Sequence, residues 1–190
     1  MELSELIKKN RSYRRFNQAH LVDSKTLVDL VDLARMSASG ANRQPLKFMI
    51  INTPKNCEKV FPSTMWAGYL KDWDGPVEGE RPSAYIIVLG DKTVTEGFGV
   101  DHGIAAQSIM LGAAEQGLGG CIIGSIRKDN LRKSLRIDDR YAILLVLAIG
   151  EPVEKVVVEE VKDGNIKYWR DKNGVHHVPK RSLNDLILND

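Results

Sequence analysis

Cysteine is scarce: Cys57 and Cys121 are the only two in 190 residues, and no Cys-x-x-Cys spacing exists. A disulfide framework and a zinc or dithiol centre built on cysteine pairs are excluded, and both thiols read as small core residues. Long apolar runs are also missing. No window approaches the ~18 uninterrupted apolar residues of a membrane helix, and the charged, amphipathic opening lacks the apolar stretch of roughly 7–15 residues that marks a secretory leader. A cytoplasmic protein with no membrane partner is the expectation. Charge of one sign is not in excess either: 27 Lys and Arg face 25 Asp and Glu, a net +2, so nucleic acid is not an expected partner. The motifs Gly-x-x-x-x-Gly-Lys-Ser/Thr, His-Glu-x-x-His and Gly-x-Ser-x-Gly are absent, which removes the main support for P-loop, zinc-protease and α/β-hydrolase readings. Gly117, Gly119, Gly120 and Gly124 follow a helical segment and lead into a strand, the reverse of the order a dinucleotide fingerprint requires.

What is present suits one ordinary globular domain: 43% hydrophobic residues and a mean hydropathy of −0.25. Leu3, Leu6 and Ile7 sit at helical spacing in a short helix that stops near Asn10. Ser24 is read as the cap of a second helix carrying the stripe Leu27, Leu30, Val31 and Ala34. A strand is predicted over 46–53 and, from Pro54, a short helix to about Phe61. Residues 62–83 are rich in Gly and Pro, contain Trp66, Tyr69 and Trp73, and read as a lid or wall. Strands follow at 85–90, 120–126 and 142–149, with helices at 100–117 and 129–135 between them. The 100–117 helix has a small-residue face of Gly103, Ala106, Met110, Ala113 and Ala114 that permits close approach of a neighbour. Alternating strands and helices, with strands apolar throughout, predict a parallel sheet covered on both faces. Beyond Pro152, short strands and tight turns at Asp163-Gly164 and 172–174 predict an arm.

Four constellations carry candidate chemistry. His20, His102, His176 and His177 are dispersed, and the adjacent pair points to opposite sides of an extended segment, so solvated or core histidines are favoured over a metal site. Asp101-His102 has the pairing of a carboxylate that orients a base, but no nucleophile accompanies it. Arg11-Ser12-Tyr13-Arg14 offers two guanidiniums and a hydroxyl just beyond a helix end, a donor set suited to a phosphate monoester; the bland reading is a solvated charged turn. The loop from Ser37 to Pro45 gathers hydroxyls and carboxamides that can hydrogen-bond a polar heteroaromatic ring, and reads equally as a helix cap and turn.

Taken in order and spacing, Arg-Ser-x-Arg at 11–14, Ser-x-x-Asn-x-Gln-Pro at 39–45, the small-residue helix and Ile-Gly at 123–124 resemble the FMN-dependent nitroreductase family across essentially the whole chain. The resemblance implies an α+β fold, with a central mixed sheet packed by helices and a C-terminal arm exchanged in a homodimer. It divides the chain into an FMN-binding core, 1–150, and an extension of the same domain, 151–190. It implies that Arg11, Ser12 and Arg14 grip the FMN phosphate with Lys180 and Arg181, that Asn42 and Gln44 contact the ring, that Ser39 reaches it from the partner subunit, and that the backbone at Ile123 and Gly124 lies beside it. The implied activity is NAD(P)H-dependent, ping-pong reduction of small planar nitroaromatic or quinone-like acceptors, with the flavin and no protein side chain as the reacting group. Trp66, Tyr69 and Trp73 then either roof the acceptor pocket or serve as core or dimer contacts. Dehalogenation or flavin destruction on the same scaffold, and a non-catalytic anion- or nucleic-acid-binding module, are the alternatives.

Overall fold

A computed structural model describes residues 2–188. Helix α1 (Leu3–Lys9) leads through strand β1 (Phe16–Asn17) to α2 (Ser24–Arg35). Strand β2 (Leu46–Ile51), helix α3 (Pro54–Val60), strand β3 (Ala84–Asp91) and helix α4 (Asp101–Glu115) follow. Strand β4 (Gly119–Ile123), helix α5 (Lys128–Leu135) and the long strand β5 (Tyr141–Pro152) complete the core. Asp23, rather than Ser24, caps α2: its carboxylate accepts from the Thr26 amide at 2.8 Å.

The sheet is not parallel. β3 lies between β2 and β5, β4 and β1 also pair with β5, and each of these strand pairs is antiparallel. The parallel component is a single bridge from Ser12 to Gly120. The reading from apolar strands fails for a physical reason: burial on both faces requires helices on both faces, which an antiparallel sheet achieves equally well. All eight residues of β3 are buried. Tyr85, Ile87 and Leu89 enter one core, under α3, α5 and the 62–83 segment, while Ala84, Ile86 and Val88 enter the other, under α2 and α4. The close approach of α4 to α2 falls at Gly112, where an added Cβ would lie 2.3 Å from Leu33 Cδ1. Gly103, by contrast, faces open space.

The tail forms a second sheet in which β6 (Val156–Glu160) pairs in parallel with β8 (His176–Lys180), and β7 (Trp169–Arg170) runs antiparallel to β8. This sheet rests on the 62–83 segment of its own chain: the Tyr168 and Tyr69 rings are 4.9 Å apart, and the Arg170 guanidinium lies 4.6 Å from the Trp73 ring centre. Trp66 is buried in the core. Tyr69 and Trp73 therefore support the tail.

Candidate functional site

Residues 11–14 and the tail strand β8 meet beside β4. Arg11 folds back on the end of α1, donating from Nε to the Asn10 carbonyl at 2.6 Å and from Nη2 to the Ile7 carbonyl at 2.7 Å, where helix carbonyls lack partners. Residues 12 and 13 then lie along Gly120, whose carbonyl accepts from the Tyr13 amide at 2.9 Å. A Cβ at position 120 would sit 2.4 Å from the Ala148 carbonyl oxygen and 2.8 Å from Met110 Sδ, so this approach requires glycine.

Arg14, only 9% exposed, is the centre of the arrangement. Its amide donates to the Glu154 carboxylate, which also accepts from Arg170 Nη2 at 3.1 Å. Its Nη1 lies 3.2 Å from the Ser12 carbonyl and 3.0 Å from His176 Nε2, and its guanidinium is 4.7 Å from the Tyr168 ring centre. Because guanidinium only donates, His176 Nε2 must accept, which assigns the ring proton to Nδ1. Burial first, then the charges of Arg14, Arg170 and His177, lower the His176 pKa from 6.5 to about 4, so the imidazole is neutral at pH 7.

Together Arg11, Ser12 and Arg14 join His176, Val178 and Lys180 around a cavity of about 320 Å³ floored by Met110 and Gly120. Three cations line it and no carboxylate does. The alternation of β8 sends 176, 178 and 180 to the cavity, whereas Arg181 is exposed and lies off it. Sequence reasoning missed His176 and Tyr168; the alternate spacing of His176, Val178 and Lys180 was the available signal.

The remaining predicted residues are elsewhere. Ser39 and Gln44 line a separate cavity of about 310 Å³, at the start of α4. Asp101 and Met110, which mark the two cavities, are about 13 Å apart along the helix. Asp101 accepts from Ser39 Oγ at 2.6 Å and from the Gly40 amide at 2.9 Å, and Ser39 Oγ in turn accepts from the Gln44 amide at 2.9 Å. Those bonds, Ser39 first, hold the Asp101 carboxyl below its ordinary range. The carboxylate thus clamps this loop and does not orient His102. Ala41, Asn42 and Gln44 all adopt positive φ, of 50°, 53° and 50°, and the Gln44 amide nitrogen is 3.1 Å from Asn42 Oδ1. Asn42 and Gln44 are exposed. Ile123 is buried in the core, Gly124 is exposed just past the end of β4, and the side chain on the cationic cavity is that of Ile122.

A family model described as the nitroreductase family matches residues 7–151. The chain belongs to the nitroreductase family. Within the family, YdgI of Bacillus subtilis, which carries the provisional name NAD(P)H nitroreductase, is 23% identical over 188 residues, covering 81% of this chain and 90% of that protein. A nitroreductase-family protein from Clostridium difficile 630 superimposes with a TM-score of 0.70 at 20% identity, covering 100% of this chain and 99% of that one. A protein from Exiguobacterium sibiricum, provisionally described as a nitroreductase and solved in complex with FMN, gives 0.72 at 18% identity, covering 100% and 98%. The α+β nitroreductase fold is thereby established for this chain. Among the described residues no helix is long and apolar enough to cross a membrane, and no group of three or more His, Cys, Asp or Glu residues is arranged to hold a metal ion.

Proposed function

We propose that the chain is an FMN-dependent oxidoreductase whose cationic cavity holds the FMN phosphate. The observation that carries this reading is a cavity lined by Arg11, Arg14 and Lys180, with the Ser12 hydroxyl, and by no acid. A phosphate monoester is a dianion at neutral pH, and guanidinium pairs with it through two parallel hydrogen bonds. Arg11 and Arg14 are each fixed in advance by carbonyl or imidazole acceptors, which reduces the entropy lost on binding. The redox chemistry would be supplied by the flavin, taking hydride from NAD(P)H and passing it to a nitroaromatic or quinone-like acceptor in ping-pong order.

The chain's own groups bind and orient. Lys180 closes the phosphate end, Ile122 and the backbone through Ile123 and Gly124 flank the ring, and Asn42 and Gln44 supply neutral ring contacts. Since the loop holding Ser39, Asn42 and Gln44 opens on a different cavity from Arg14, we assign that loop to the site of a second copy in a homodimer.

The test is titration of the apoprotein with FMN, followed by flavin fluorescence. Arg14→Ala is expected to weaken binding by about 1.5–3 kcal/mol, the scale of a charged hydrogen bond. Lys180→Ala is expected to act in the same direction and Arg181→Ala to leave affinity unchanged. Full FMN affinity in a folded Arg14→Ala, Lys180→Ala double variant would remove the phosphate from this cavity.

A further inference from the structure

A third, smaller cavity lies away from the cationic one, between α3, the loop after β1 and the residues leading into β3. It measures about 70 Å³. Ser83 is 4% exposed and Tyr85 is fully buried, yet neither Ser83 Oγ nor Tyr85 Oη has a hydrogen-bond partner; the buried Nε of Arg81 is in the same state. All three residues line this cavity. Gln18, also on its wall, uses its carbonyl oxygen to accept from the Gly79 and Arg81 amides, which leaves its amide nitrogen as a further donor.

Unpaired buried polar groups cost roughly 1–3 kcal/mol each, so three of them on residues that line one cavity point to an occupant. Charge decides which. The Arg81 guanidinium stacks over Phe61 at 4.3 Å, and among the described residues no carboxylate pairs with it. Burial raises the Tyr85 phenol pKa, so the hydroxyl keeps its proton and donates. Burial likewise pushes the Cys57 thiol up to about 11, so it adds no competing negative charge, and Cys57 Sγ donates to the Ser83 carbonyl at 3.3 Å. Only Glu58 on the rim is acidic, and it is exposed.

We propose that this cavity is a binding site for one small monovalent inorganic anion of halide size, held by the Arg81 guanidinium, the Ser83 and Tyr85 hydroxyls and the Gln18 amide. One guanidinium balances one formal charge, and the Glu58 carboxylate opposes a second, which disfavours dianions such as phosphate. Water satisfies the hydroxyls but brings no negative charge to the partly exposed Arg81 guanidinium. The bound anion joins α3 to the base of the segment carrying Trp66, Tyr69 and Trp73, and so to the support of the tail.

Crystals soaked in sodium bromide supply the first readout: an anomalous peak within hydrogen-bonding distance of Ser83 Oγ and Tyr85 Oη is expected, and water alone at that position overturns the proposal. The second is thermal unfolding in sodium bromide against sodium gluconate at equal ionic strength, the gluconate anion being too bulky for a cavity of about 70 Å³. Bromide is expected to raise the midpoint of the wild-type protein by about 2–4 °C, as for an added stabilisation near 1 kcal/mol. Tyr85→Phe and Ser83→Ala, which remove one hydroxyl each, are expected to lose most of that rise, and Arg81→Gln all of it. An equal rise in the folded variants, or a crystal peak with no rise in solution, marks an adventitious ion only and overturns the assignment. Should Arg81→Gln not fold, the two hydroxyl variants decide the outcome.

Discussion

Arg14 is a cation held in place by neutral and anionic partners on separate atoms: the Glu154 carboxylate takes its amide, and His176 takes its guanidinium. The arrangement depends on an uncharged imidazole. With a folded pKa of about 4 against 6.5 for the free side chain, the unfolded chain binds more protons than the folded one between those values. Stability therefore falls as pH drops from 6.5 to 4, by up to about 1.4 kcal/mol per unit, and the contribution is constant below 4. Urea unfolding of the wild type across this window is expected to show that slope, and His176→Gln, whose amide oxygen can still accept from Arg14, a shallower one. Parallel profiles would remove His176 as the titrating group. The donor chemistry of Arg11, Ser12 and Arg14 was legible in the sequence because it resides in residue types. The partnership with His176 was not, since 162 positions separate it from Arg14 and only the tail's fold brings it there.

At the scale of elements, the 39–44 loop shows how a strained backbone is held. Three of its non-glycine residues occupy the left-handed region, Ala41 and Gln44 each at a cost of roughly 1–2 kcal/mol and Asn42 at less, and the Asp101 carboxylate at the first turn of α4 offsets part of it through Ser39 and Gly40. Asp101→Ala is expected to cost about 2–3 kcal/mol in urea unfolding and to remove amide-exchange protection at Gly40 and Gln44. Retained protection would show that the loop holds itself. The segment was readable as a turn rich in hydroxyls and carboxamides, but its clamp was not, because Asp101 stands next to His102 in sequence and suggested a different pair. Element positions were otherwise legible from periodicity, as in the Leu27, Leu30 and Ala34 stripe of α2. Strand direction was not. The chain between β2 and β3 contains a helix, as a parallel crossover would, yet the two strands pair antiparallel from Leu46 opposite Gly90.

For the whole molecule, the separation of the cationic cavity from the Ser39 loop sets a requirement on assembly. If each flavin site draws its phosphate clamp from one subunit and its ring contacts from the other, Arg14→Ala and Asn42→Ala lesions should complement. Mixed dimers of the two variants would each regain one intact site, so random assortment restores full FMN affinity to about a quarter of all sites. Titration of the co-refolded mixture checks this, and two weak populations with no tight fraction would mean that each chain builds its own site. One property of the tail bears on how such a protein can vary. Lys180 reaches the cavity because it shares parity with His176 on a strand whose register against β6 runs from Val156 opposite His176 to Glu160 opposite Lys180. Adding or deleting a single residue between them would turn Lys180 to the face opposite His176, so the spacing of the tail is constrained as tightly as its basic side chains.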